Sequence, residues 1–267
     1  MTANTILQHP IPDGRNGFRT CQPWHPHRYV IILLLLTAVL FGPGPVAADP
    51  YAVKQLSAFA HSRPQAGAIL AEGEEVYQFL EKAFSGMYTS VPLAWDPAEP
   101  NDNAYAEHKP SLDRKVINLR VSSHLSSPDQ VACLVYEAIN AQNERQFIEI
   151  TEEAHKGEMT KTQFIHNILR LEHKSLKKTR AFLSNLVPYK DIDLSQTIFY
   201  SKMSGTPEEF DAFIEYLQRI KREDYDVFKH YSDFYDFVIP PTRRWKANHK
   251  AAATSPEITP APETKRH

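Results

Sequence analysis

One stretch in the middle of the chain constrains the fold more than any other, because it combines helix start signals with an apolar stripe. Residues 127–143 read SPDQVACLVYEAINAQN. Ser127 is a favourable N-cap residue, Pro128 suits the first helical turn, and Gln130 completes a capping box. The apolar side chains recur at helical spacing: Val131, Leu134, Val135, Ala138 and Ile139. The sequence therefore predicts a helix here, the glutamate helix, packed against the core.

Three polar residues of the glutamate helix stand beside this stripe. Tyr136, Glu137 and Asn140 have the spacing of the zinc-binding sequence H-E-x-x-H, with the glutamate retained and both histidines replaced. Zinc in proteins prefers imidazole nitrogen and thiolate sulfur, with carboxylate oxygen next, so this set would hold zinc weakly. We predict no metal ligands and no cofactor, with a weakly held zinc ion as the alternative.

The residues before the glutamate helix predict a helix followed by a small sheet. Apolar periodicity indicates a helix over residues 66–87. Residues 91–110 are rich in Pro, Asn and Asp, which is typical of a loop, and contain two candidate edge strands at 92–95 and 103–105. Residues 115–121 carry β-branched side chains in partial alternation and give the best strand in the sequence.

A second long helix follows, and its apolar face carries a carboxylate. Thr160 and Gln163 form a capping box, and the helix is expected to reach about residue 186. Glu172 stands where a hydrophobic residue would continue the stripe, and burying a lone charge is costly. We therefore expect a polar cluster between this helix and the glutamate helix. Its candidate members are Tyr136, Glu137, Asn140, Asn167, Arg170 and Glu172.

The rest of the chain predicts one globular domain over residues 49–239. Residues 207–237 begin with a helix start and continue with an apolar and aromatic stripe, which indicates a third long helix. Residues 240–267 consist of Pro, Ala, Thr and charged residues with almost no apolar side chains. Because such a composition buries too little apolar surface to fold, we expect a disordered tail there.

Residues 1–48 predict a secretory signal peptide. Residues 29–41 form an apolar run, shorter than the ~20 residues that span a bilayer, and three arginines precede it. Small residues ending at Ala48 predict the cleavage site, with an uncleaved signal anchor as the alternative. The mature chain is therefore expected in the periplasm or outside the cell, without membrane contact after cleavage.

Charge, cysteine and histidine content narrow the compartment and the chemistry. The formal net charge of −2 gives no basic field for nucleic acid. Cys21 is removed with the signal, so Cys133 is left without a disulfide partner, which fits a bacterial periplasm or exterior. Cys133 has no histidine beside it on its helix and is expected to be a buried, inert thiol. His108, His124 and His155 are placed on loops or helix ends, so no histidine metal site is predicted.

The order of these elements and the Y-E-x-x-N helix resemble a minimal zincin, the metallopeptidase fold built around H-E-x-x-H. More narrowly, residues 135–141 resemble a bacterial group of zincin-like proteins in which F-E-x-x-N-A replaces the metal motif. The resemblance covers about residues 66–186. It implies an α+β, mostly α fold with a helix–small sheet–helix core and long C-terminal helices. It also implies that Glu137 occupies the place of the general base and Glu172 that of a downstream glutamate ligand.

Three functional hypotheses follow from these residues. The first is an exported, zincin-like pseudo-enzyme that binds an unknown protein or peptide partner, or acts structurally, in the bacterial envelope. We favour it because both metal-ligand positions of the motif are replaced. The second is an active, peptidase-like hydrolase that uses Glu137 and Glu172 as a carboxylate pair. The third is a helical interaction domain in which the motif is coincidental.

Overall fold

The computed structural model describes most of the chain after the predicted signal peptide. The described residues are 49–100, 104–111, 113, 115–190, 192–220 and 226–254. They form many helices and one small three-stranded mixed sheet, which confirms the prediction of an α+β fold that is mostly α. The predicted signal peptide and its cleavage site lie outside these residues. Within the described ranges, no helix is long and apolar enough to cross a membrane.

The residue contacts divide the chain into two compact units, where the sequence predicted one domain over residues 49–239. The first unit includes the described residues up to Glu144 together with those of Leu171–Tyr225. The second includes Arg145–Arg170 together with the described residues from Asp226 onward. The second unit brings together two segments that are distant in sequence, which a pattern of local periodicity does not reveal.

Three helices open the first unit: α1 (Pro50–Ser62), α2 (Pro64–Ala71) and α3 (Glu74–Phe84). The single helix predicted over residues 66–87 is thus two helices, separated at Gly73. A Cβ atom at Gly73 would lie 2.0 Å from Leu186 Cδ2, so the close approach of Leu186 requires glycine at this break.

The sheet has the strand order β1–β3–β2, with β1 (Leu93–Trp95), β2 (Ala106–Pro110) and β3 (Ile117–Val121). β1 is parallel to β3, and β2 is antiparallel to it. The predictions near residues 92–95 and 115–121 are therefore confirmed. The strand predicted at 103–105 is displaced towards the C-terminus, because the backbone enters the ladder with β3 only from Ala106.

The glutamate helix is α4 (Ser127–Gln142), and its cap lies one residue earlier than predicted. Ser126 Oγ accepts a hydrogen bond from the Asp129 amide at 3.3 Å and donates to the Asp129 carboxylate at 3.0 Å. Gln130, which the sequence assigned to the capping box, instead donates from its side chain to the Leu125 carbonyl at 2.9 Å. Every residue from Asp129 to Ala141 is buried, so α4 is a central helix rather than one with a single buried stripe.

The carboxylate of Asp129 also fixes a later part of the chain. It accepts hydrogen bonds of 2.8 Å from the backbone amides of Ile198 and Tyr200, at the start of a short helix. This later part of the chain contains α7 (Val187–Lys190), a 3₁₀ turn (Leu194–Gln196) and α8 (Phe199–Ser204). Asp129 is fully buried, and these bonds provide the partners that a buried carboxylate requires.

The two helices after α4 are α5 (Glu144–Lys156) and α6 (Lys161–Ser184). The capping box of α6 is confirmed: the Gln163 amide donates to Thr160 Oγ1, and the Thr160 amide donates to Gln163 Oε1. α5 ends at Gly157, whose φ of 72° lies in the left-handed region that favours glycine. Residues of α6 up to Arg170 belong to the second unit, and those from Leu171 onward belong to the first.

The C-terminal part differs from the single long helix predicted over residues 207–237. It contains α9 (Phe210–Arg219) and α10 (Val227–Val238), with residues 221–225 outside the description. A further helix, α11 (Pro241–Thr254), occupies part of the predicted disordered tail, and residues 255–267 are outside the description. Composition did not predict α11, because its contacts are with residues distant in sequence: Ala247 is buried, and Lys246 and Lys250 pair with Glu158.

Candidate functional site

Five buried polar side chains from three elements of the first unit form what we call the α4 polar cluster. The helix α4 contributes Tyr136, Glu137 and Asn140, which are 0%, 0% and 1% exposed. The edge strand β2 contributes His108, and the second half of α6 contributes Glu172, which are 3% and 1% exposed. Because none of these groups reaches bulk water, their hydrogen bonds have to be made with one another or with neighbouring protein groups.

His108 and Glu137 form an ion pair at one side of the cluster. The register of β2 places His108 opposite Leu119, a fully buried residue of β3. His108 Nδ1 then lies 2.7 Å from Glu137 Oε2. Burial by itself lowers the pKa of His108, but the hydrogen bond to Glu137 and the charges of Glu137, Glu172 and Glu144 outweigh it and raise the pKa. The contact with Glu137 therefore favours the protonated form of His108.

Glu172 is held on the other side by two donors from α4. The Tyr136 hydroxyl donates to Glu172 Oε2, and Asn140 Nδ2 donates to the same oxygen at 3.2 Å. Burial and the charges of Glu172 and Glu137 raise the pKa of Tyr136 well above its ordinary value, so the phenol stays a donor. The ring of Tyr136 also packs on Phe199, with ring centroids 5.3 Å apart. The structure thus gives Glu172 the partners that a carboxylate in an apolar stripe needs.

Asn140 is satisfied on one side only. Within the described residues, its carbonyl oxygen Oδ1 has no hydrogen-bond partner, although the residue is buried. An unsatisfied buried acceptor costs about 1–3 kcal/mol. Asn140 is therefore a member of the cluster that orients Glu172 at some cost in stability.

Asn167 and Arg170, the other two predicted members, lie in the part of α6 that belongs to the second unit. The Asn167 side-chain amide is 3.7 Å from Met159 Sδ, within that unit. Arg170 is exposed, as is usual for a charged side chain. A helix of this length passes through two environments, and spacing along the helix did not distinguish them.

Sequence reasoning missed His108, because it assigned that residue to a loop. The sequence contains little indication of this strand, because the residues Ala106 to Pro110 show no clear alternation of apolar and polar side chains. Only the pairing with β3 fixes the direction of the His108 ring. Sequence reasoning also missed Glu107, which lies in the same strand and forms an ion pair with Arg120 at 3.0 Å. Arg120 in turn pairs with Asp96 at 2.7 Å, which ties β3 to the residue that follows β1.

The chemistry of the cluster is limited by its burial. A general base has to come within about 2.6–3.2 Å of the proton that it removes, and Glu137 has no exposed surface in this conformation. Among the residues that the structure describes, no group of three or more His, Cys, Asp and Glu side chains is arranged to hold a metal ion. Cys133, also on α4, is buried, and burial with the charges of Asp129 and Glu137 raises its pKa well above the ordinary value. Its thiol is therefore protonated and unreactive.

Comparisons with protein-family models, with curated proteins and with solved structures give no match for this chain. The resemblance to zincins therefore stays a hypothesis that rests on the residues and on the order of elements.

Proposed function

We propose that this chain is an exported, zincin-like protein without peptidase activity, which binds a protein or peptide partner or acts structurally in the bacterial envelope. Export rests on the signal-like residues 1–48. The zincin-like reading is supported by the order of elements: α3, a small sheet with an antiparallel edge strand, then α4 with Glu137 and α6 with Glu172. In a zincin the edge strand borders the substrate cleft, and β2 is the corresponding edge strand here.

The burial and pairing of Glu137 is the observation that carries this proposal. In an active zincin the glutamate faces a metal-bound water in an open cleft. Here His108 Nδ1 lies 2.7 Å from Glu137 Oε2, and both side chains are shielded from solvent. Glu172, the candidate downstream ligand, accepts hydrogen bonds from Tyr136 and Asn140. The groups that would bind metal and water thus form hydrogen bonds with other side chains of the same molecule.

In place of catalysis, we assign the cluster a structural role. His108 connects β2 to α4, while Tyr136 and Asn140 connect α4 to α6. A buried polar network of this kind adds little net stability over an apolar core, but each wrong pairing leaves a buried charge unsatisfied. The cluster therefore specifies the relative register of three elements of the first unit, which keeps the surface that they carry rigid.

The two alternatives are less well supported by the geometry. A hydrolase using Glu137 and Glu172 needs both carboxylates in an open cleft, and they are 0% and 1% exposed. A coincidental motif on a plain helical domain predicts a Glu137 that points to bulk water, far from Glu172. Glu137 is instead fully buried, and both carboxylates raise the pKa of the same Tyr136.

Two measurements on the full chain test the proposal. The first is metal content after purification without chelator or metal-affinity resin, for which we expect no stoichiometric zinc. The second is hydrolysis of unstructured protein and peptide substrates, with and without added zinc, by the wild type and by Glu137→Gln. The exposed Glu149→Gln on α5 is the control for the substitution itself. Stoichiometric zinc, or hydrolysis that Glu137→Gln loses and Glu149→Gln keeps, would overturn the proposal.

A further inference from the structure

The surface around α11 in the second unit combines exposed cations with exposed aromatic rings. We call it the α11 surface; it comprises Lys161, Phe237, Arg243, Arg244, Trp245, Lys246 and Lys250, with the two carboxylates Glu158 and Asp236. Most of these residues lie in 240–267, for which the sequence predicts a disordered tail without membrane contact. In the structure the 14 residues of α11 form a helix of about 21 Å, at 1.5 Å per residue.

Each carboxylate of the α11 surface is shared between two cations. The Asp236 carboxylate forms an ion pair with Lys161 at 2.6 Å and another with Arg244. The Glu158 carboxylate forms an ion pair with Lys246 at 3.0 Å and another with Lys250. With the exposed Arg243, five cationic side chains face two carboxylates, so the surface carries three positive charges in excess. The net charge of the whole chain is −2, so this region is a local exception.

Two large aromatic side chains of the second unit are exposed. Phe237, at the end of α10, is 88% exposed, and Trp245 is 63% exposed. The Trp245 ring packs on His249 one turn later, with centroids 3.9 Å apart, while Ala247 is 3% exposed and anchors the opposite side of the helix. A contiguous patch of exposed apolar side chains marks an interaction site, whereas single exposed ones are common, so the significance of these two rings depends on the cations beside them.

Exposed aromatic rings beside Lys and Arg are typical of a helix that lies at a lipid–water interface, and Arg244 and Lys246 are the neighbours of Trp245 on α11. The cations match anionic headgroups, each worth roughly a factor of five in partitioning near the membrane surface. The indole ring, with an apolar body and a polar N–H, fits the boundary between headgroups and acyl chains. A helix of this length is too short to span the ~30 Å hydrocarbon core and lies along the surface.

We propose that the α11 surface binds peripherally to an anionic lipid bilayer, with Trp245 and Phe237 entering the headgroup region. This inference does not depend on whether the α4 polar cluster is catalytic, because it uses only residues of the second unit. It gives the protein a place of action at a membrane surface after export.

Lipid-quenched tryptophan fluorescence tests the proposal directly. The chain contains Trp24, Trp95 and Trp245, and Trp95 is buried. In the full chain carrying Trp24→Phe, the signal lost on a further Trp245→Phe substitution isolates Trp245. With vesicles of phosphatidylcholine and phosphatidylglycerol we expect a blue shift of this signal and its quenching by brominated lipid. The apolar run at residues 29–41 contains no tryptophan, so it adds no signal of its own.

Vesicle co-sedimentation measures the contribution of each feature. Phe237→Ala and Trp245→Ala should each weaken binding to the mixed vesicles by about tenfold, the effect of losing one partly inserted aromatic side chain. Binding should also fall as salt is raised, and it should be weaker with phosphatidylcholine alone. Met87→Ala, which removes a side chain of a 66% exposed residue in the first unit, should leave binding unchanged.

Three results would overturn the proposal. They are a Trp245 signal that lipid neither shifts nor quenches, equal binding to charged and neutral vesicles, and equal binding by the wild type and the Phe237→Ala/Trp245→Ala double variant. Circular dichroism of the variants keeps the test interpretable, since both side chains are exposed and their loss should not change the fold.

Discussion

The α4 polar cluster and the α11 surface hold charged groups in opposite ways. In the cluster, His108 and Glu137 are paired at 2.7 Å with side chains 4% and 0% exposed. On the α11 surface, Glu158 is 38% exposed and is shared by Lys246 and Lys250, which are 48% and 57% exposed. The cluster matches its ionic partners inside the protein, whereas the surface keeps an excess of cations facing water.

The difference determines how much stability is lost when one partner of an ion pair is removed. A buried ion pair becomes expensive as soon as one partner is removed, because the other charge stays desolvated. An exposed pair loses little when broken, because water and salt replace the partner. We therefore expect the cluster to control stability and the α11 surface to control binding. Four predictions test this contrast, from the largest expected effect to the smallest.

Removing the imidazole of the buried pair should have the largest effect. His108→Leu leaves the Glu137 carboxylate buried without its ionic partner, which should lower the free energy of unfolding by about 3–5 kcal/mol in urea titrations. The double variant His108→Leu/Glu137→Leu is the matched control. It removes both charges and should recover most of the loss. A single variant as stable as the wild type would mean that the pair is not buried in solution.

Removing one donor to Glu172 should have the next largest effect. Tyr136→Phe keeps the ring that packs on Phe199 and deletes only the hydroxyl that donates to the carboxylate. A hydrogen bond to a charged group is worth about 1.5–3 kcal/mol, so the free energy of unfolding should fall by that amount. Tyr88→Phe, at a residue that is 41% exposed, should change it by much less. Equal effects of the two substitutions would contradict the buried bond.

The stability of the cluster should depend on pH in a defined direction. The folded-state pKa of His108 is raised above its ordinary value of about 6.5, chiefly by Glu137 acting against burial. The contribution of the pair is therefore complete below about pH 6.5 and is lost as the pH rises through the folded-state pKa. The stability difference between the wild type and His108→Gln should shrink from about pH 6 upward. A stability difference that grows with pH would contradict this prediction.

Breaking the exposed pairs should have the smallest effect on stability. Lys246 and Lys250 lower the pKa of Glu158 to about 2, so this contribution is present above the ordinary carboxyl value, about 4.3, and lost as the pH falls through about 2. Because solvent screens the pair, Lys250→Ala should leave the urea midpoint at neutral pH unchanged within replicate error. The same variant should weaken binding to anionic vesicles. A large loss of stability would mean that α11 depends on this pair for its fold.

The sequence was most informative where local patterns act alone. The Thr160 capping box, the strand at Ile117–Val121 and the glutamate helix follow from cap residues and apolar spacing over a few turns. The position of Glu172 in an apolar stripe was enough to indicate a polar partner, and Tyr136 and Asn140 were correct candidates by spacing. Local patterns failed where contacts are distant in sequence: α11 lies in the predicted tail, and its Lys246 and Lys250 pair with Glu158, about 90 residues earlier.

The sequence by itself determined an α+β chain, mostly helical, with a helix that carries Tyr136, Glu137 and Asn140. Only the tertiary structure decided that His108 is the partner of Glu137 and that Asn167 and Arg170 belong to another unit. It also decided that α11 presents aromatic rings and cations to solvent. The physical reason is that caps and apolar stripes are local free-energy terms, written within a few residues. The partner of a buried charge depends on strand register and helix packing, which bring together residues far apart in the chain.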